Sequence, residues 1–325
     1  MKFPVAFTQR LSFISLLFSF LSACSPYEPP LTVAAAPWPN FEFLHLAKSL
    51  NYLPENEYSI YELSDSTSVI QAFQSGQLDV SFLSLDEVLT LVALGIDLKI
   101  VAVIDVSTGG DALLVKPQIE SLSALKWLSI GYENKAAGAL ILNEAFNLSG
   151  LNNQSIHLVE VKQSEVKDVY MQENVAGIIA REPQKQQLLQ LGARELLNSN
   201  DLTFRITHLM IVREDIVNSK ELQITNLLKQ FYNARYYYLH NEKQALTTMA
   251  VRLQMFPYLL QESFKGARFV EPKDALTSLS GSPSNIEIQA NQLSQFMTQK
   301  KMLGRIPNDF KSIISTRILE RVVYE

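Results

Sequence analysis

The sequence predicts an α/β chain of two lobes, each a mostly parallel sheet flanked by helices, with two hinge crossings between them. Three observations predict it. Short β-rich runs alternate with stripes of helical period, and that β-α-β rhythm calls for parallel strands covered by helices. The rhythm restarts partway along the chain. The roughly 300 residues left after an N-terminal leader also exceed what one hydrophobic core usually supports.

In chain order, residues 31–36 read as a first strand, broken by Pro37-Trp38-Pro39. Phe43, Leu46, Ala47 and Leu50 then recur at i, i+3, i+4 and i+7, the stripe of an amphipathic helix. A strand over 58–63 and a helix over 66–75, stopped by Gly76, lead to a third strand at 79–83. Ser84 and Glu87 form a capping box that opens the next helix. The β-branched run 98–104 is a fourth strand, and 111–115 a fifth, cut off by Pro117. The second unit follows, with strands at 127–131, 156–161, 175–180 and near 195, and helices at 136–146, 163–172 and 183–191. After a strand at 205–212 the pattern turns helical, over 220–240, 242–254, 257–264, 272–279, 286–302 and 309–323. This organisation places lobe 1 at 31–113 plus 206–325 and lobe 2 at 116–205, with the crossings near 114–116 and 203–207.

The first 23 residues predict export. Lys2 and Arg10 give a short positive segment ahead of an apolar run over 11–20, about half the roughly 20 residues that span a bilayer, so it reads as a signal peptide. It ends in Leu21-Ser22-Ala23-Cys24, which resembles a bacterial lipobox, with cleavage before Cys24 and lipidation of its thiol. Residues 24–30, with three prolines, then form a flexible tether. Cys24 is the only cysteine, so no intramolecular disulfide can form. Ser25 is not the Asp that often retains lipoproteins on an inner membrane.

Loss of Lys2 and Arg10 takes the net charge from −5 to −7. A mildly acidic chain with no basic run carries no footprint for nucleic acid or an anionic membrane surface. At 47% hydrophobic and 19% charged residues, the body is a globular core former rather than a disordered segment.

Several segments in order resemble one family. They are Trp38-Pro39-Asn40 leading into the first helix, Ser75-Gly76-Gln77-Leu78-Asp79, Thr108-Gly109-Gly110-Asp111, Ser129-Ile130-Gly131, and Glu182-Pro183 with Leu191-Gly192-Ala193. Together they resemble the periplasmic binding proteins that serve ABC importers of nitrate, sulfonates, taurine and the pyrimidine precursor of thiamine. The resemblance implies a type II periplasmic-binding fold, a ligand held between the lobes, no catalysis and no cofactor. Two departures stand out. The loop before the second-lobe helix is Tyr132-Glu133-Asn134-Lys135 with Gly138 inside the helix, and the cysteine-rich motif of the related pyrimidine-forming enzymes is absent.

Ligands of open α/β sheets lie beyond the carboxyl ends of the strands, which selects loops 37–40, 64–68, 84–87, 105–111 and 132–137. The candidate contacts are Trp38 and Asn40, Ser66 and Thr67, Ser84 and Asp86, Thr108, Gly109 and Gly110, Asn134 as N-cap of the second-lobe helix, and Glu182. Each has a structural alternative. Trp38 can pack under the first helix, one of the serines of 66–68 and Ser84 can serve as caps, Glu87 and Glu182 suit helix starts, and Thr108-Gly109-Gly110 can be a bare turn. Asp86, Glu87, Asp111, Glu133 and Glu182 against Lys135 and Arg181 make the cleft acidic, which points to a neutral, zwitterionic or cationic small molecule.

Enzyme motifs are weak. Ser123-Ala124-Leu125-Lys126 fits S-x-x-K but precedes a strand and has no companion motif. His45, His157, His208 and His240 are scattered without metal-ligand spacing. The sequence therefore predicts a monomeric, lipid-anchored solute receptor delivering to an ABC permease. A ligand sensor docking on a membrane partner is the alternative, and a pyrimidine-forming enzyme of the same fold a third reading.

Overall fold

The computed structural model describes residues 29–304 and 309–325, so the leader, Cys24 and most of the tether lie outside the described residues. Residues 31–325 form one compact unit built on two sheets. The first sheet contains β1 (Leu31–Ala35), β2 (Tyr58–Glu62), β3 (Val80–Ser84), β4 (Leu98–Ser107), β10 (Thr207–Arg213) and β11 (Ala267–Phe269), in the order β11-β4-β10-β3-β1-β2. The second contains β5 (Asp111–Val115), β6 (Ser129–Tyr132), β7 (His157–Glu160), β8 (Val175–Arg181) and β9 (Arg194–Asn198), in the order β7-β6-β8-β5-β9.

Four of the six strands of the first sheet run one way, with β10 and β11 reversed. Four of the five strands of the second also agree, with β5 reversed. The reversed inner strands are the ones next to the crossings. β5 follows the first crossing and inserts between β8 and β9, while β10 ends the second and inserts between β3 and β4.

This corrects the expected boundary. Residues 111–113 belong to the second sheet, where Asp111 faces Arg181 and Leu113 faces Ile179. The first crossing is therefore residues 108–110 rather than 114–116. Hydrophobicity alone cannot separate the two placements, because β5 is an unbroken buried run that suits the interior of either sheet. Other differences are local. Trp127 stands outside its expected strand with φ +66°, β11 was not expected, and 309–323 divides into a 3-10 turn (Lys311–Ile313) and the helix Arg317–Tyr324.

The first-lobe core is aromatic. Phe43, Phe82, Phe231 and Phe269 are joined by ring contacts of 5.2 to 6.3 Å, with Phe231 stacked on Phe82 at 5.2 Å. Phe231 and Tyr232 lie on the long helix Glu221–His240, which docks through them, whereas Tyr236 on the same helix faces solvent. The second sheet separates two smaller clusters, one around Leu113, Ile130 and Ile141, the other around Leu114, Ile178 and Leu188. Among the described residues, no helix is long and apolar enough to cross a membrane.

Candidate functional site

The two sheets present their strand ends to each other across a shared cleft. Ser84 closes β3 and caps the helix Leu85–Ala93, so Asp86 and Glu87 fall in that helix's first turn. Here acidic groups suit the exposed N–H groups of the helix end. From the second lobe, Glu133 and Lys135 precede the helix Ala136–Ser149, and Arg181 ends β8. Gly138 makes this loop possible, because a Cβ there would sit 2.6 Å from the Glu133 carbonyl oxygen. These side chains enclose about 30 Å³, which Gln163 and Gln184 connect to an outer groove of about 1170 Å³.

The two cations of the cleft are committed to neighbours. Lys135 Nζ lies 2.9 Å from Glu133 Oε1 and 3.2 Å from Glu87 Oε1, and donates to Ser66 Oγ, so it bridges the lobes. Burial alone would raise the Glu87 pKa, but the Lys135 and Arg181 charges outweigh it and hold that carboxyl at about 2. Arg181 Nη2 lies 3.0 Å from His208 Nε2, and its Nε lies 3.8 Å from Asp111 Oδ1, an ion pair without a hydrogen bond.

Asp86 stands apart from these pairs. Its Oδ1 accepts the Ser84 hydroxyl at 2.6 Å, and no described cation comes within salt-bridge distance of it. Burial, and then the neighbouring Glu87 charge, raise its pKa. The Ser84 hydrogen bond and the Arg181 and Lys135 charges act the other way without cancelling that rise, so Asp86 is a buried carboxyl on the wall of the cleft that forms no ion pair among the described residues.

Beneath the cleft runs a polar chain that crosses the lobes. Trp38 Nε1 donates to Asp105 Oδ2 at 2.8 Å, and His208 Nδ1 contacts Asp105 Oδ1 at 2.7 Å. A guanidinium can only donate, so His208 Nε2 accepts from Arg181 and Nδ1 carries the ring proton. Arg181 also lies over the Trp38 ring at 5.1 Å, and the His208 ring packs at 4.3 Å.

The structure sorts the candidate residues. Ser84 and Asp86 line the cleft cavity, and Ser66 holds Lys135. Trp38 is fully buried against His208 and Arg181, and Asn40 is buried outside the cleft cavity. Thr67 is exposed, and Asp65, not a serine, caps its helix by accepting from the Ser68 N–H at 2.8 Å. Asn134 is also exposed, and Lys135 occupies the N-cap position expected for it. The backbone of 108–110 is already bonded. Thr108 N–H donates to Gly266 O at 2.9 Å, Gly109 N–H to Ser199 Oγ at 2.7 Å, and Gly109 O accepts from Lys185 at 2.6 Å. The S-x-x-K pair is not one, since Ser123 hydrogen-bonds Ser121 and Lys126 lies over Trp127.

Glu182 lies outside the cleft cavity, fully buried near Gly266, where burial pushes its pKa up to about 7. Gln186 donates to its Oε1 at 2.9 Å, and the Lys185 charge and the Ser263 hydroxyl act on the carboxyl against its burial. The folded pKa lies above the ordinary 4.5, so the folded state holds this proton more tightly. Its stabilisation is complete below 4.5 and is lost as the pH rises to about 7. Glu182→Gln keeps the Gln186 acceptor and cannot ionise. Thermal unfolding across that interval is expected to show the wild type losing roughly 3 kcal/mol relative to the variant. Parallel curves would refute the assignment.

Sequence reasoning selected loop 105–111 but did not name Asp105 as a contact, and it missed His208, Gln163 and Gln184 as parts of the site. Asp105 carried a signal, since a lone carboxyl at the end of an apolar strand needs a buried partner. Gln163 and Gln184 carried none beyond their position after strands.

A family model described as the NMT1-like family matches residues 58–253. No curated protein sequence matches the chain. Among solved structures, the periplasmic aliphatic sulphonate binding protein SsuA of Escherichia coli is similar at TM-score 0.73 and 15% identity, over 90% of this chain and 93% of that one. The alkanesulfonate-binding protein SsuA of Xanthomonas axonopodis pv. citri, bound to MOPS, gives 0.70 and 15%, over 86% and 96%. The ligand-binding component of an ABC-type import system from Staphylococcus aureus, with zinc bound, gives 0.72 and 12%, over 91% and 99%. These likenesses establish the two-lobed periplasmic-binding fold.

Proposed function

The chain belongs to the NMT1-like family, and from that premise we propose that it is an exported, lipid-anchored receptor that captures a small amine-bearing solute between its lobes and presents it to an ABC importer. The observation that carries the ligand class is Asp86. It is buried, lines the cleft cavity and forms no ion pair among the described residues, while Lys135 and Arg181, whose charges reach it from a distance, are bonded to other groups. A protonated amine or amidine supplies the missing charge and keeps Asp86 ionised. Sulfonates, which the two SsuA structures are named for, would instead compete for cations already engaged.

Binding would work by closure. Lys135 and Arg181 reach from the second lobe to Glu87, Ser66 and His208 on the first, so a solute touching both sides adds to contacts that already favour the closed form. The closed outline is what a membrane partner would read. Cys24 supplies the anchor and the leader the export signal.

Native mass spectrometry of the purified mature chain should identify a carried solute with a basic nitrogen. Asp86→Asn is expected to weaken its binding about 100-fold in calorimetry, with little change in Tm. Tight binding of an alkanesulfonate or nitrate, or an undiminished affinity in Asp86→Asn, would overturn the ligand class. Ser25 after Cys24 supports a second reading, a sensor on a membrane kinase or cyclase. Co-purification with such a partner rather than a permease would select it.

A further inference from the structure

Two amides stand where the deep cleft meets the outer groove. Gln163, on the 3-10 turn after β7, and Gln184, at the start of the helix Gln184–Gln190, line both cavities. Gln163 is 3% exposed, and among the described residues neither its Nε2 nor its Oε1 has a partner; Gln184 Oε1 has none either. Buried amides are nearly always hydrogen-bonded, because leaving a donor or acceptor dry carries its full desolvation cost. A buried amide with both atoms unpartnered, on the wall of a cleft between lobes, is a structural statement about what belongs beside it. Arg181 Nε, on the same cavity, is a further buried donor without a hydrogen bond.

The orphaned atoms have a definite pattern. Gln163 offers one donor and one acceptor side by side, and only a group with the complementary acceptor and donor satisfies both. A carboxamide or urea does so. A carboxylate supplies acceptors alone, and an ammonium donors alone. The outer groove beyond Gln163 leaves room for a solute longer than the deep cavity.

We propose that Gln163, with Gln184 beside it, is a second recognition point, and that the solute is an amino amide. Its ammonium pairs with Asp86 and its carboxamide with Gln163. This rests on the receptor reading above and adds the neutral half of the ligand.

The test uses the full mature chain and a probe series of ω-amino amides, from glycinamide upward in chain length. Each is paired with the alkylammonium of equal length lacking the amide. Calorimetry is expected to show one chain length at which the amide gains about tenfold or more over its alkylammonium partner. Gln163→Leu should abolish that gain without weakening alkylammonium binding, since leucine suits the alkyl end at least as well, and should raise the Tm of the free protein by removing a buried amide that has no partner among the described residues. Gln184→Met should reduce the gain without affecting the alkylammonium. The inference falls if the amide adds nothing, if the gain survives Gln163→Leu, or if Gln163→Leu lowers the Tm. It also falls if no probe binds. In each case the receptor reading stands or falls separately, on whether native mass spectrometry finds a cleft-bound solute in the wild type.

Discussion

Gly110→Val is expected to unfold the chain or lower its stability by about 3 kcal/mol or more, measured by denaturant unfolding. The reason is space, since the φ of Gly110 is not in the left-handed region. A Cβ at this position would lie 2.6 Å from the Gly266 carbonyl oxygen and 2.6 Å from the Trp38 ring. Neither obstacle is the end of a flexible chain. The carbonyl is fixed by the Thr108 N–H, and the indole is held by Asp105. From the other side, a Cβ on Gly266 would meet Gly110 Cα at 2.8 Å, so Gly266→Ala should show the same defect in milder form. Gly304→Ala, where an added Cβ meets nothing within 4 Å among the described residues, is the control and should be silent. A Gly110→Val protein as stable as the wild type would refute the close approach.

Asp105→Ala carries the next largest expected effect, a loss of about 3–5 kcal/mol. It strands two buried donors at once, Trp38 Nε1 and His208 Nδ1. The consequence reaches the second lobe, because His208 Nε2 accepts from Arg181 only while Nδ1 keeps the proton. Asp105→Asn separates the electrostatic part from the steric part. Its amide can accept from one donor but opposes the other with an N–H, so about 1–3 kcal/mol should be lost. Stability by denaturant unfolding, with lobe closure followed by small-angle scattering, measures both effects. Equal stability of Asp105→Ala and the wild type would sink the network as a structural link.

The elements were largely legible because their signals are local. Period-2 and period-3.6 patterns, the Ser84–Glu87 cap and the prolines after β1 and β5 act within a few residues. What was not legible depends on distant partners. The reversed direction of β5 follows from its pairing with β8 and β9, which its own five apolar-rich residues do not encode. β11 is a three-residue edge strand, too short for any periodicity.

The site divides the same way. The cleft loops follow from where strands end, and the acidic balance follows from composition. Which carboxyl is spare does not. Asp86 and Glu87 are consecutive acids on one helical turn, and only the reach of Lys135 from the other lobe decides that Glu87 is paired and Asp86 is not. Trp38 is a candidate contact by sequence, and it is an internal residue because Asp105, distant in sequence, accepts its N–H.

The two crossings leave the first lobe from neighbouring strands. β4 and β10 pair directly, with Val106 opposite Thr207, and Ser107 N–H donates to Ile206 O at 2.9 Å. In chain topology, the whole second lobe is therefore the loop of one β-hairpin, closed at its base by cross-strand partners. A hinge of two adjoining strands is a ribbon rather than a pair of spaced straps, and a ribbon yields to torsion as readily as to bending. Lys135, reaching Glu87 and Ser66, and Arg181, reaching His208, are side-chain ties that hold the second lobe against the first beyond this ribbon. The same geometry makes the first lobe a candidate for excision engineering, with a short turn joining 106 to 207 in place of everything between.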